Sequence, residues 1–118
     1  MVAKDIAVEG AEQLWVLDSS GRIMYLESNE WCEYPGDARA TAIAVSRDGV
    51  PYIIDTSTHI SQGNGTGWTQ LSGDGGKQLT VDAAGQIWKI GLDDRIYSYD
   101  GESWVEFPDE KKCMRIAF

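Results

Sequence analysis

One short motif returns at nearly constant spacing along this 118-residue chain, and a repeat of that length leaves few architectures open. Ile6-Ala7-Val8 comes back as Ile43-Ala44-Val45, as Leu79-Thr80-Val81 and last as Ile116-Ala117-Phe118, in steps of 37, 36 and 37 residues. Nine residues after each of the first three origins stands Trp15, Tyr52 or Trp88, and sixteen and seventeen after stand Arg22-Ile23, His59-Ile60 and Arg95-Ile96. Twenty-five after stand Trp31, Trp68 and Trp104, with Tyr34, Leu71 and Phe107 three further on. No gap is needed inside a repeat, so chance does not explain the agreement.

Within each unit the apolar runs are four or five residues long, rich in β-branched and aromatic types, and separated by Gly, Asp, Asn and Ser. That pattern reads as short strands joined by hairpins. In the third unit the strands are expected over Gln78 to Val81, Ile87 to Ile90, Arg95 to Tyr99 and Trp104 to Phe107. Turns are expected at Asp82 to Gly85, Gly91 to Asp94 and Asp100 to Ser103, and at the matching Asp18 to Gly21 and Asn64 to Gly67. The glycosylation sequon Asn64-Gly65-Thr66 therefore reads as a glycine-rich turn. No segment shows the 3.6-residue period of an amphipathic helix. The fold class is all-β: a β-propeller with three four-stranded antiparallel blades, approximately 4–40, 41–76 and 77–112, and an extra strand over 113–118. In the first strand of each unit a small side chain sits between two large ones, which places that strand innermost and the Trp strand at the rim.

Charge removes several functions. Nineteen acids against ten bases give a net charge of −9, and no basic cluster is present beyond Lys111-Lys112, so nucleic acid is a poor partner. No stretch approaches the roughly 20 apolar residues of a membrane span, and Met1 to Asp5 lack the apolar core of a secretory signal. If this is the whole product, it is cytoplasmic, and Cys32 and Cys113 are then expected as free thiols rather than a disulfide. Neither cysteine sits in a metal motif, and no cofactor is expected. A nucleophile–histidine system would have to pass through the single histidine, His59, which occupies a column filled elsewhere by Arg22 and Arg95. No acidic pair stands out from the turn acids, so the chain is read as non-catalytic.

Residues Gly85-Gln86-Ile87-Trp88-Lys89-Ile90, Arg95-Ile96-Tyr97 and Asp100-Gly101-Glu102-Ser103-Trp104 make a unit that resembles a tectonin repeat, the blade of tectonin and tachylectin-type propeller lectins. The first unit departs at Met24 and Glu30, and the second departs most, with Pro51-Tyr52 and His59-Ile60-Ser61 in place of the aromatic strand and the Arg-Ile-Tyr triplet. The resemblance implies carbohydrate binding at repeated shallow pockets, with Trp31, Trp68 and Trp104 as stacking surfaces and Arg22, His59 and Arg95 as donors. Each of these has a plainer reading too, the aromatics as blade packing and the arginines as partners of turn acids. A protein-interaction scaffold, or a propeller fragment with no sugar ligand, is the alternative function.

Propellers take about four to eight blades, each packed against two neighbours, so three blades make half a ring. A homodimer would close six blades and cover both open faces; a trimer giving nine ranks below it. The terminal strand Arg115 to Phe118 would then be the thirteenth for twelve places, either exchanged between subunits or part of a longer array.

Overall fold

Alternating strands and tight turns arrange the chain as three separate four-stranded sheets in a computed structural model that describes residues 3–9 and 13–107. The first sheet is β1 (Ala3–Glu9), β2 (Gln13–Asp18), β3 (Ile23–Glu27) and β4 (Glu30–Glu33); the second is β5 (Ala40–Val45), β6 (Pro51–Asp55), β7 (Ile60–Gly63) and β8 (Trp68–Gln70). The third is β9 (Gly76–Val81), β10 (Ile87–Gly91), β11 (Ile96–Tyr99) and β12 (Trp104–Glu106). Each is an up-and-down antiparallel meander in chain order, and no helix occurs among the described residues. None of them forms a helix long and apolar enough to cross a membrane. The expected extra strand, Arg115 to Phe118, and Cys113 lie outside the described residues; Cys32 is a free thiol.

The strands of the third blade differ from expectation at their ends for local reasons. β9 starts two residues early because Gly76 pairs with Gly91 across a register shift. Arg95 belongs to the turn, since Asp94 before it adopts φ +67°. Gly21 and Thr58 take the same left-handed conformation at the equivalent place in the other two blades. In the first two of these turns the aspartate Oδ1 closes the loop: Asp18 accepts from the Ser20 and Arg22 amides, and Asp55 from those of Ser57 and His59.

The innermost strands β1, β5 and β9 lie side by side, and the Asp5 carboxylate accepts the Ile43 amide at 3.1 Å across the first junction. Period-two alternation gives each blade two faces. Trp15, Leu17 and Ile23 of the first blade pack on Ile43 and Ile53 of the second. Tyr52, Ile54 and Ile60 of the second pack in turn on Leu79 and Ile87 of the third. Leu17, Ile53 and Ile54 are fully buried, each contributing about 1.5–3 kcal/mol of hydrophobic stabilisation. The same logic leaves a face of the first blade and a face of the third with no described blade against them. Ile6 is 61% and Trp31 41% exposed on one, and Val105 49% and Phe107 44% on the other.

Candidate functional site

The link from β8 to β9, Leu71-Ser72-Gly73-Asp74-Gly75, has to pass close to two blades at once, and its glycines permit that. Gly73 lies at φ +89° against the edge of Trp104, where a Cβ would stand 3.0 Å from Cδ1. At the first junction Gly36, at φ +105°, meets Trp68 in the same way, at 3.1 Å. Each of these indoles is thus held under the link that precedes its own blade. Trp31, in the same column, has no described link over it and is 41% exposed. Gly75 admits no side chain, since a Cβ would fall 1.6 Å from the Thr58 carbonyl oxygen.

Where this link meets the third blade it encloses a cleft of about 360 Å³. Its walls are Trp104 and Tyr97, its rim Asp74 and Asp93, and its floor Lys89. Lys89 is 2% exposed. Its Nζ donates to the carbonyls of Asp74 and Gly75 at 2.6 and 3.0 Å, and lies 4.5 Å from the Trp104 ring centre and 5.2 Å from that of Tyr97. Those distances are within cation–π range. Burial pushes the Lys89 ammonium below its usual range, against the opposing pull of Asp74 and Asp93. The Tyr97 hydroxyl donates to Asp93 Oδ2 at 2.6 Å. That bond, with burial second, raises the phenol to about 12, and it holds the Asp93 carboxyl below the ordinary range. The cleft therefore offers two aromatic walls, a fixed carboxylate acceptor and an embedded cation, with Trp104 further braced by Tyr99 at 4.9 Å.

Of the residues singled out in the sequence, Trp104 lines this cleft. Arg95 stands beside it, with Nε 4.0 Å from Asp93 and a guanidinium NH1 held by Glu106 at 3.0 Å. Trp68 is packed at the first junction, 4.8 Å from the Tyr34 ring. His59 is exposed, 3.8 Å from Asp55, and the exposed Arg22 donates its backbone amide to Asp18. The structure does not bring these three and Trp31 into one place. Lys89, Asp93 and Tyr97 were not singled out, yet a signal for them exists. The equivalents of Lys89 are Val16 and Ile53, those of Tyr97 are Met24 and Ser61, and those of Asp93 are Ser20 and Ser57. A lysine in an apolar column that the fold buries marks a departure from pure packing. Among the described residues, no group of three or more His, Cys, Asp or Glu side chains could hold a metal ion.

A family model, the Tectonin domain, matches residues 39–114. The chain belongs to the tectonin family. The matched span takes in the second and third tectonin blades, and with them the whole of the Trp104 cleft. Among solved structures the chain is similar to a fucose lectin from Kordia zhangzhouensis in complex with methyl-fucoside, with a TM-score of 0.46 and 16% identity over 91% of this chain and 99% of that one. No curated protein matches it.

Proposed function

We propose that this tectonin chain is a non-catalytic carbohydrate-binding module that works as a closed ring of two copies, with the Trp104 cleft as its sugar site. The observation that carries the reading is the pairing of Trp104 and Tyr97 with the oriented Asp93 carboxylate in a cleft within the roughly 300–1,000 Å³ range of small-ligand sites. Sugars present C–H faces that pack on aromatic rings and hydroxyls that need fixed acceptors and donors. Asp93 supplies the acceptor. Arg95 at the rim supplies a planar donor once its pairing with Glu106 is exchanged for a ligand hydroxyl.

Because Lys89, Asp93 and Tyr97 have no like counterparts in the other blades, the Trp104 cleft occurs once per chain. Two copies would present two such sites, and tethering them in one ring raises the effective affinity for multivalent glycans. Trp31, Trp68, Arg22 and His59 enter the proposal as secondary contacts in the remaining blades. The ring itself rests on the complementary open faces: the third blade presents to a partner the kind of face that the first and second present inside the chain. Six blades close at two copies; nine, at three, is the runner-up.

Immobilised neutral, methylated, fucosylated and acidic glycans test the reading directly. The full chain should retain a subset of the panel, and replacing Trp104 and Arg95 together by alanine should abolish retention while the far-ultraviolet spectrum keeps its β signature. The single changes Asp93→Asn and Tyr97→Phe, which remove little packing, should weaken the same ligands. A folded chain that binds nothing on the panel would overturn the lectin reading and favour a protein-interaction scaffold.

A further inference from the structure

The segment Asn64-Gly65-Thr66 forms the turn between β7 and β8, and neither the sugar reading nor blade packing makes use of its side chains. The turn is exposed and stands at the lip of a cleft of about 650 Å³ between the first and second blades. It surrounds the Asn64 side-chain amide with fixed partners. Asn64 Oδ1 accepts from the Thr66 amide at 3.0 Å and from the Thr66 hydroxyl at 3.2 Å. Asn64 Nδ2 donates to Thr69 Oγ1 at 2.9 Å. The following residue is Gly65 at φ +95°, so no side chain shields its backbone nitrogen.

An asparagine followed by glycine holds an electrophile and a nucleophile in one short loop. Attack of the Gly65 nitrogen on Asn64 Cγ closes a five-membered ring within the chain, with no second molecule to be brought into place. As that bond forms, negative charge gathers on Oδ1, where the two Thr66 donors already point.

A third contact opposes the reaction. The Gly65 amide donates to the Tyr34 hydroxyl at 2.7 Å across the junction. A donated hydrogen bond favours the protonated amide, whereas attack requires the nitrogen to give that proton up. Tyr34 cannot move aside alone. Its ring lies 5.7 Å from Trp15 and 4.8 Å from Trp68, and even a Cβ on Gly63 would stand only 2.8 Å from its hydroxyl. Freeing the Gly65 nitrogen therefore means loosening the first junction.

The third blade displays one product of the reaction in place. Asp100-Gly101 occupies the offsets of Asn64-Gly65. Asp100 Oδ1 accepts the Glu102 and Ser103 amides at 2.9 and 2.8 Å, and its own amide donates to the Ser103 carbonyl at 3.0 Å, as that of Asn64 does to Gly67. Aspartate at position 64 thus keeps the turn. Isoaspartate would add a carbon to the main chain and draw Gly65 away from Tyr34. The chain's other asparagine, Asn29, is followed by Glu30, which carries a side chain and pairs with Glu27 in the sheet.

We propose that Asn64-Gly65 is a self-modification site that deamidates through a succinimide, and that Tyr34 restrains it while the first blade junction is closed. The Gly65 nitrogen bonds to Asn64 Cγ, the Cγ–Nδ2 bond breaks, and ammonia leaves with the Gly65 amide proton. Water then opens the succinimide at either carbonyl, giving aspartate or isoaspartate. The outcome is a second carboxylate in a cleft lining whose sole charged residue is Glu27, and a covalent record of how long the junction has stood open.

The test incubates the purified full chain at fixed pH and temperature and follows amide-to-acid conversion at Asn64 and Asn29 by peptide mass spectrometry. Asn64 should convert while Asn29 persists. Tyr34→Phe keeps the ring and removes the acceptor, and should speed conversion roughly three- to tenfold, the rate equivalent of one hydrogen bond. Chain unfolded in urea, in which the contact is absent whatever the variant, should also convert faster than folded chain. Asn64→Asp should keep the β spectrum and melting temperature, while the isoaspartate fraction of aged protein should melt roughly 4–8 °C lower. An Asn64 amide that survives while Asn29 converts overturns the site. Equal rates in folded, unfolded and Tyr34→Phe chains overturn the restraint by Tyr34.

Discussion

Gly73→Ala separates the two burdens that the blade link carries. At φ +89° an L side chain costs about 1–2 kcal/mol of backbone strain. The added Cβ would also stand 3.0 Å from Trp104 Cδ1, and Trp104 cannot retreat freely because Tyr99 lies 4.9 Å behind it and Lys89 4.5 Å over its face. Displacing a packed indole of this kind costs about another 1 kcal/mol. Gly101→Ala is the control, because its φ of +102° carries similar strain with nothing within 4 Å of the new Cβ. Thermal unfolding followed by circular dichroism should therefore show both variants destabilised, Gly73→Ala by roughly 4 °C more than Gly101→Ala. Near-ultraviolet signals from Trp104 should change in the first variant and not in the second. Equal melting temperatures with an unaltered tryptophan signal would refute the claim that the link glycine clamps the indole.

Three further outcomes follow from the same contacts. Asp82 is held below the usual carboxylate range, chiefly by the Trp88 indole N–H at 3.0 Å and then by turn amides, and Asp100 by the amides of Ser103 and Glu102. Depressed folded-state values stabilise above the unfolded value of 3.8 and lose that contribution as pH falls through them. Melting temperature should thus drop on acidification below about pH 4, less steeply in Asp82→Ala, and a parallel fall in both chains would contradict the assignment. Tyr97 works in the other direction: its raised value of about 12 against 10.0 means a contribution present below 10.0 and lost as pH rises toward 12, so Tyr97→Phe should flatten the alkaline arm of the stability curve. Val105→Arg, on the open face of the third blade, should leave the fold intact and lower the molecular mass in solution.

The architecture was legible because its determinants are local and repeated. Gly and Asp at fixed offsets specify hairpins, and alternation within each run specifies which side chains meet the next blade, so the strand order followed from the columns alone. Strand ends were less legible, since the bulge opposite Gly91 and the left-handed Asp94 depend on pairing geometry. The clefts were least legible. Trp31, Trp68 and Trp104 share one column but not one environment, because Gly36 and Gly73 of the preceding links lie against Trp68 and Trp104, while no described link lies over Trp31. Lys89 was hidden by the same averaging: a column that reads Val, Ile, Lys looks like a core position with one exception. Only the nearby carbonyls of Asp74 and Gly75 and the two rings explain how a cation sits there. Arg95 and Trp104 are nine residues apart and do flank the same cleft, but the arginine is turned toward Glu106.

The repeat that organises the chain also supplies the most direct test of the proposed ring, because that ring places a second copy against the open faces of the first and third blades. Light scattering on the purified full chain measures the mass of the species in solution. The account requires twice the 13.0 kDa of one chain, falling to a single chain's mass in Trp31→Arg or Val105→Arg with the β spectrum retained. A folded, stable monomer of the unaltered chain would contradict it.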